Sequence, residues 1–322
     1  MSNITVAVLG PNGYADDLGK KGTSSDITFY NLKRGDATIT FIEPTRYPEK
    51  LSSLFYAISL ADRVVLVVDE INATFGETVL MLQSAGKSDG YLIFRNYISP
   101  DQVAPLIKGT VLEKYEVQEH DPLGLREKLL DAAVKLTAHQ KAKDSGNGTI
   151  PIDHHFNVKG VGIVVLGCVA HGVIKKHDAL KLLPTAKTAQ VRSIQKHDDD
   201  ADTAVTGDRV GLALKNLEPE DLDRGYVLTN DPAIQSSTTV SGKAELVKFW
   251  PAPLKEDMVI YLGHWMQFLP SRLTKVTADG DWKQPELTLT LEKALVYPPG
   301  ARVVLHYLEG GKLRVVGTLH LS

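Results

Sequence analysis

The sequence predicts an α/β plus all-β protein: one mostly parallel, helix-flanked sheet followed by two antiparallel β-barrels. Three observations carry that expectation. Residues 1–140 alternate strand-like and helix-like patterns, as a parallel sheet with crossover helices requires. The charged, Gly-rich stretch Lys141–Gly148 then interrupts the pattern as a linker would. Residues 150–322 run as short β-type stretches punctuated by Gly, Asp, Asn and Pro, with almost no helical period.

In the first part, Ile4–Leu9 is a β-branched run ending at Gly10. Asp26–Leu32 and Ala37–Ile42 flank the turn Lys33-Arg34-Gly35-Asp36 and read as a hairpin. After Pro48, the spacing of Leu51, Leu54, Phe55 and Ile58 predicts a helix with one buried face. Arg63–Val68 is near-continuously apolar, as a strand inside a parallel sheet is. Thr78–Gln83 reads as helix and Tyr91–Phe94 as strand. Asp121-Pro122 opens a helix carrying Leu125, Leu129, Ala133 and Leu136, with Pro in the first turn.

Beyond the linker, strands are expected at Ile163–Val169, Ala189–Ile194, Val210–Leu214, Ala244–Lys248, Met258–Leu262, Leu287–Leu291, Arg302–Leu308 and Arg314–Leu319. A seam between the barrels is placed from Asn230-Asp231-Pro232 to Ser241-Gly242. The expected domains are therefore 1–147, 148–232 and 233–322.

Composition narrows the function classes. Apolar residues at 43% and charged residues at 23% are ordinary for a globular chain, and a net charge of −3 offers no bulk attraction to nucleic acid. Any RNA contact must therefore come from local basic patches. Cys168 is the single cysteine, which excludes an internal disulfide and a cysteine-based zinc site. No apolar run approaches the roughly 20 residues of a membrane span, and Met1–Thr5 lacks a signal-like start. A cytoplasmic protein with no membrane or DNA partner is expected.

A strand ending at Gly10 invites a test for a phosphate-binding loop, which needs Gly, four residues, then Gly-Lys-Ser/Thr. Counted from Gly10, that triplet falls on Ala15-Asp16-Asp17, whose carboxylates would repel phosphate. Counted from Gly13, Gly19-Lys20 arrives one residue late and Lys21 replaces the hydroxyl. The chain from Gly10 to Ser25 is also too short for a phosphate loop, a helix of about three turns and a switch segment. Gly19-Lys20-Lys21-Gly22-Thr23 remains a basic, Gly-rich loop, read either as a solvated turn or as an anion contact.

Phe156-Asn157-Val158-Lys159-Gly160-Val161-Gly162-Ile163-Val164-Val165-Leu166-Gly167 resembles the opening of domain 2 in translational GTPases. Gly172, Lys175, Asp178, Leu180 and Pro184 follow at family-like spacing, then Val191-Arg192-Ser193-Ile194-Gln195, Gly207-Asp208-Arg209-Val210-Gly211 and Asp223-Arg224-Gly225. These motifs are similar to the archaeal-type SelB branch of the SelB/EF-Tu elongation factors. Gly19–Thr28 also resembles the SelB-like factor suggested for pyrrolysine. Pro299–Val304 and Arg314–Gly317 are similar to the closing strands of domain 3.

The resemblance implies a P-loop-GTPase-like first domain, yet its nucleotide elements are altered. The Asp-x-Pro-Gly-His segment falls on Glu43-Pro44-Thr45-Arg46-Tyr47, so Glu43 keeps a carboxylate while Gly and His are lost. The Asn/Thr-Lys-x-Asp element falls near Arg95-Asn96-Tyr97-Ile98, with Ile98 at the guanine-reading position. A later Ser-Ala-Lys-like loop is not evident in Val117–Asp121. Gly10, Lys20, Lys21 and Glu43 are thus the remnant nucleotide residues, in a degenerate G domain without GTP hydrolysis, and neither GTP nor magnesium is expected as cofactor. The resemblance also places Gln195 where related factors meet the terminal adenosine of aminoacyl-tRNA, flanked by Arg192 and His197. These three are either tRNA contacts or surface residues of the barrel.

Other constellations have plainer readings. His197–Asp200 with Asp202 reads as a solvated acidic turn, because consecutive residues rarely converge on one ion. Asp208-Arg209 reads as a turn ion pair, and His154-His155 as lying just before a strand. Trp250, Trp265, Tyr261, Phe249 and Phe268 read as barrel core rather than an RNA-stacking surface. The expected function is a SelB-like translation factor paralogue acting by binding, with aminoacyl-tRNA or the ribosome as partner. Two alternatives stay open: a GTP-binding factor with an unorthodox phosphate loop, and a protein-interaction module unrelated to tRNA.

Overall fold

The computed structural model describes residues 2–141, 146–197, 199–311 and 313–322. Positions 142–145 of the linker-like stretch and Asp198 of the acidic run lie outside the described residues. The first unit comprises strands β1 (Ser2–Leu9), β2 (Lys20–Ser24), β3 (Thr28–Arg34), β4 (Ala37–Glu43), β5 (Arg63–Val68), β6 (Gly90–Phe94) and β7 (Glu116–Gln118). Helices α1 (Leu51–Leu60), α2 (Ala73–Ala85), α3 (Pro100–Ile107) and α4 (Pro122–Lys141) connect or close it. The sheet order is β2-β3-β4-β1-β5-β6-β7, parallel from β4 to β7 and antiparallel at the β2–β3–β4 edge.

Both faces of the central strands are covered, which is why β5 is apolar from Val64 to Val68. Val6, Val8, Val65 and Val67 pack with Leu125, Leu129 and Ala133 of α4. On the other face, Ala7, Leu66 and Leu92 pack with α1 and α2. The one-sided reading of α1 needs correction: every residue from Leu51 to Ile58 is buried. A barrel strand covers the side of the helix turned away from the sheet, and Phe55 meets Phe268 there with ring centroids 5.9 Å apart.

The second unit holds β8 (Thr149–Val158), β9 (Gly162–Cys168), β10 (Val173–Lys175), β11 (Ala179–Leu183), β12 (Lys187–Lys196), β13 (Asp199–Ala201), β14 (Thr203–Val205), β15 (Arg209–Lys215) and β16 (Val227–Thr229). Its sheet runs β11-β16-β8-β9-β15-β12-β13, and the extra β11–β12 pairing closes the ring. Inward residues such as Ile150, Val165, Val191 and Leu212 fill it. The third unit is a closed barrel, β17 (Gln235–Leu246), β20 (Glu286–Tyr297), β19 (Gln267–Thr277), β18 (Val259–His264), β21 (Arg302–His306) and β22 (Val315–Leu321) in ring order. A mixed, largely parallel sheet followed by two antiparallel barrels is therefore the architecture.

Several local expectations are corrected. Residues 20–24 are not a loop but edge strand β2, stitched to β3 with Lys20 opposite Asn31 and Lys21 opposite Tyr30. Ser241 and Gly242 lie inside β17, so the chain crosses between barrels before Gln235. His154 and His155 lie within β8 rather than before it. Asp208 and Arg209 do not pair with each other: Asp208 pairs with Lys196, and Arg209 with Asp153. Phe249 is 69% exposed, and Phe268 packs against α1 as well as its own barrel, so the aromatic group is not simply barrel core.

Polar contacts join the units. Arg224 of the second unit donates to Asp26 at 2.6 Å, and His154 meets the Ser25 hydroxyl at 3.0 Å. Burial alone would raise the Asp26 carboxyl, but hydrogen bonds from Lys50 and Arg224 carry it down to about 2. Arg314 of the third unit donates to Glu77 of α2 at 2.8 Å, and the Thr318 hydroxyl donates to the Ser84 carbonyl.

Candidate functional site

In a sheet of this kind, ligands bind beyond the carboxyl ends of the strands where the strand order reverses. Here that point lies beside β1, and the chain fills it from within. Gly10 leaves β1 with φ +120°, and a Cβ there would sit 2.2 Å from the Val67 carbonyl oxygen, so only glycine lets the loop lie against β5. Next comes a single 3₁₀ turn, Tyr14–Asp17, in which Tyr14 and Ala15 are buried. With Leu18, these residues pack in the same cluster as α4. β2 follows at Lys20, so no α-helix intervenes between β1 and the next strand.

The Glu43 carboxylate, at the end of the neighbouring parallel strand β4, turns into this loop. It is 3% exposed. Its oxygens accept from the backbone N–H of Ala15 at 2.7 Å and of Gly13 at 3.2 Å, and from the Tyr30 hydroxyl at 3.0 Å. Burial raises the carboxyl above its usual range, and those three hydrogen bonds oppose the rise. Loop amides of the type that cradle phosphate are thus already engaged by an anion belonging to the chain. Lys20 and Lys21 stand exposed on β2 and make no ion pair among the described residues.

The region beyond β6 and β7 is also occupied. The Tyr14 hydroxyl meets His120 Nδ1 at 3.1 Å, with the rings tilted and 5.5 Å apart. This contact bridges the loop after β1 to the loop after β7. Asn96 and Tyr97 adopt left-handed backbone, with φ 52° and 64°, and the Tyr97 side chain is fully exposed. The Asn96 amide donates to the Asp69 carbonyl at 3.2 Å.

On the second unit, Gln195 and His197 are brought together and Arg192 is not. Gln195 and His197 line a cavity of about 200 Å³ with Thr23, Phe29 and Asn31 of the first unit and Arg209 of the second. The Gln195 amide donates to Asp200 at 3.1 Å across the β12–β13 hairpin. A bulge between Val191 and Ser193 turns Arg192 outward, where its guanidinium donates to the Val161 carbonyl at 3.0 Å. Among the described residues, no His, Cys, Asp and Glu group is placed to hold a metal ion.

Beside this cavity lies a charged cluster that local sequence patterns do not reveal. Asp153 is fully buried and accepts from the Arg209 guanidinium and from His154, the latter at 2.8 Å. Burial alone would raise its carboxyl, but the Arg209 charge together with the hydrogen bonds from His154 and Arg209 outweighs that and holds it low. The guanidinium lies over the Phe29 ring at 3.8 Å, which attaches the barrel to β3. Burial pushes the neighbouring Cys168 thiol up to about 11, keeping it protonated and inert at neutral pH. Only the 56-residue separation of Asp153 from Arg209 hides this pair from a local reading.

Comparison with known proteins fits this architecture. The family model for elongation factor Tu domain 2 matches residues 162–229. The chain is 34% identical to an uncharacterized protein of Methanocaldococcus jannaschii, over 98% of this chain and 99% of that one. It is 26% identical to the selenocysteine-specific elongation factor of the same organism, over 83% of this chain but only 61% of the factor's length. The solved structure of elongation factor SelB from Methanococcus maripaludis, in complex with the GTP analogue GppNHp, aligns with a TM-score of 0.82 at 20% identity. That alignment covers 100% of this chain and 79% of the SelB chain.

Proposed function

Because the chain belongs to the SelB/EF-Tu-type elongation factor family, we propose that it acts by binding aminoacyl-tRNA or a ribosomal component, without hydrolysing GTP. Glu43 carries this reading. A nucleotide phosphate would have to displace three hydrogen bonds to a buried carboxylate, each of a kind worth about 1.5–3 kcal/mol. It would then stand beside that carboxylate. Two like unit charges about 4 Å apart repel by about 4 kcal/mol at an effective dielectric of about 20.

In this reading the residues present do not fit GTP and magnesium. Gly10 and Glu43 are remnants of a phosphate and metal site, and Lys20 and Lys21 are surface cations of an edge strand. The first domain serves as a scaffold, and the cavity between β3 and the second unit is the recognition surface. Gln195 hydrogen-bonds the terminal nucleoside there, His197 lines the same recess, and Arg192 meets phosphate on the adjoining surface. A cytoplasmic location follows from that role.

Filter binding with charged and uncharged tRNA tests the reading. Affinity should fall steeply as salt rises. Gln195→Ala with Arg192→Glu should weaken binding by about tenfold or more, a loss of about 1.4 kcal/mol. Unchanged binding in that double variant, or none in the unsubstituted protein, would leave the family relationship without this function.

A further inference from the structure

A groove between the first and third units, remote from the recess just described, has the chemistry of a protein-docking site. Its apolar end, about 570 Å³, lies between α2, the end of α3 and the third barrel. Three large apolar side chains converge there while exposed to solvent: Ile71 at 41%, Leu106 at 50% and Phe249 at 69%. Such convergence on one concave surface marks an interaction site more than scattered exposure does.

The groove continues past Leu80, Leu106 and Phe249 into a second recess of about 260 Å³ with a different character. Lys108, Lys248 and Arg302 line that end with Glu245. None of the three cations makes an ion pair among the described residues. At the apolar end the one lining carboxylate, Glu77, is neutralised by Arg314. One end therefore wants apolar side chains and the other wants negative charge.

Gly76 adds an independent observation. It lies in α2 and lines the apolar end. Glycine is an unfavourable helix residue. Yet a Cβ at this position would meet nothing within 4 Å, so internal packing does not call for glycine. Its smoothness lets an occupant's backbone lie close to the helix.

We infer that this groove receives a segment of a partner protein carrying two or three apolar anchor residues followed by aspartate or glutamate. RNA is the poorer fit, because the long apolar wall offers neither donors nor charge to a phosphate backbone. The test is selection from a displayed random-peptide library on the intact protein, with counter-selection on Gly76→Leu, which fills the groove without touching its polar end. Enriched peptides should combine apolar anchors with an acidic flank. Their affinity should drop by about tenfold in Gly76→Leu and in the double variant Lys108→Glu, Lys248→Glu. Changing the flank from acidic to basic should restore binding to the double variant alone. The inference is overturned if no peptide is enriched, if the winners lack acidic bias, if they bind Gly76→Leu as well as the parent, or if an oligoribonucleotide competes them out. Circular dichroism of Gly76→Leu confirms that lost binding is not lost folding.

Discussion

The Glu43 carboxylate accepts from two amides of the loop after β1 and from the Tyr30 hydroxyl. Of its three donors, the Ala15 amide and the Tyr30 hydroxyl belong to buried residues and have no water to turn to, while the Gly13 amide is half-buried. Glu43→Ala should therefore destabilise the fold by about 3 kcal/mol or more, since each orphaned buried donor costs about 1–3 kcal/mol. Urea unfolding with and without inorganic phosphate gives the sharper reading. The variant should gain stability from added phosphate while the unsubstituted protein does not, and equal response in both would show that the amides are open already. Sequence alone identified Glu43 as a surviving carboxylate, but not its role in the fold. The role depends on β4 lying beside β1, a pairing of Ala7 with Ile42 that no local pattern encodes. Arg209 was misread for the same reason, its true partner being far along the chain rather than next to it.

At the scale of elements, legibility followed periodicity. α4 and most barrel strands were readable because their apolar residues repeat at the spacing of a buried face, and β5 because it is a near-continuous apolar run. β2, β8 and β19 were not, because Lys-Lys-Gly, adjacent histidines and an internal Pro270 obscure the alternation. α3 was missed as well, with Pro105 inside only two turns of helix. The strand pair β18–β21 also has a consequence for pH. His264 and His306 are buried there, and burial depresses their pKa values to about 4 and about 3, with backbone carbonyls at Arg302 and Tyr261 opposing the fall. His306 packs on Phe55 of α1, with centroids 5.4 Å apart, so its charge state bears on the contact between units. Unfolded histidine titrates near 6.5, so below that pH the unfolded chain takes up protons that the folded one refuses. Stability should be fully present above about pH 6.5 and decline by a few kcal/mol as the pH falls towards 4. His306→Leu should flatten that decline in unfolding midpoints measured across the range. An unchanged slope would show that the buried imidazole is not its source. Asp26 contributes only at lower pH: its stabilisation is intact above about 4 and is lost as the pH falls towards 2.

At the scale of the whole molecule, three units are joined by contacts that depend on the chain's own groups. Arg314 pairs with Glu77, Arg224 with Asp26, and Arg209 lies over Phe29. In a nucleotide-switched factor, a γ-phosphate and its metal order the segments that couple such units. Here the loop amides after β1 are held by the carboxylate of Glu43, and in the function proposed above, binding surfaces on the barrels and between the units carry the activity. The three-part organisation was legible from the change in texture along the chain, whereas the seams between units were not, because they rest on pairs distant in sequence. Isothermal titration of the intact protein with GTP and with GDP, each with magnesium, decides whether the loop after β1 is closed to nucleotide. No heat of binding is expected for either nucleotide; saturable binding with micromolar affinity would show that the Glu43 carboxylate does not keep phosphate out.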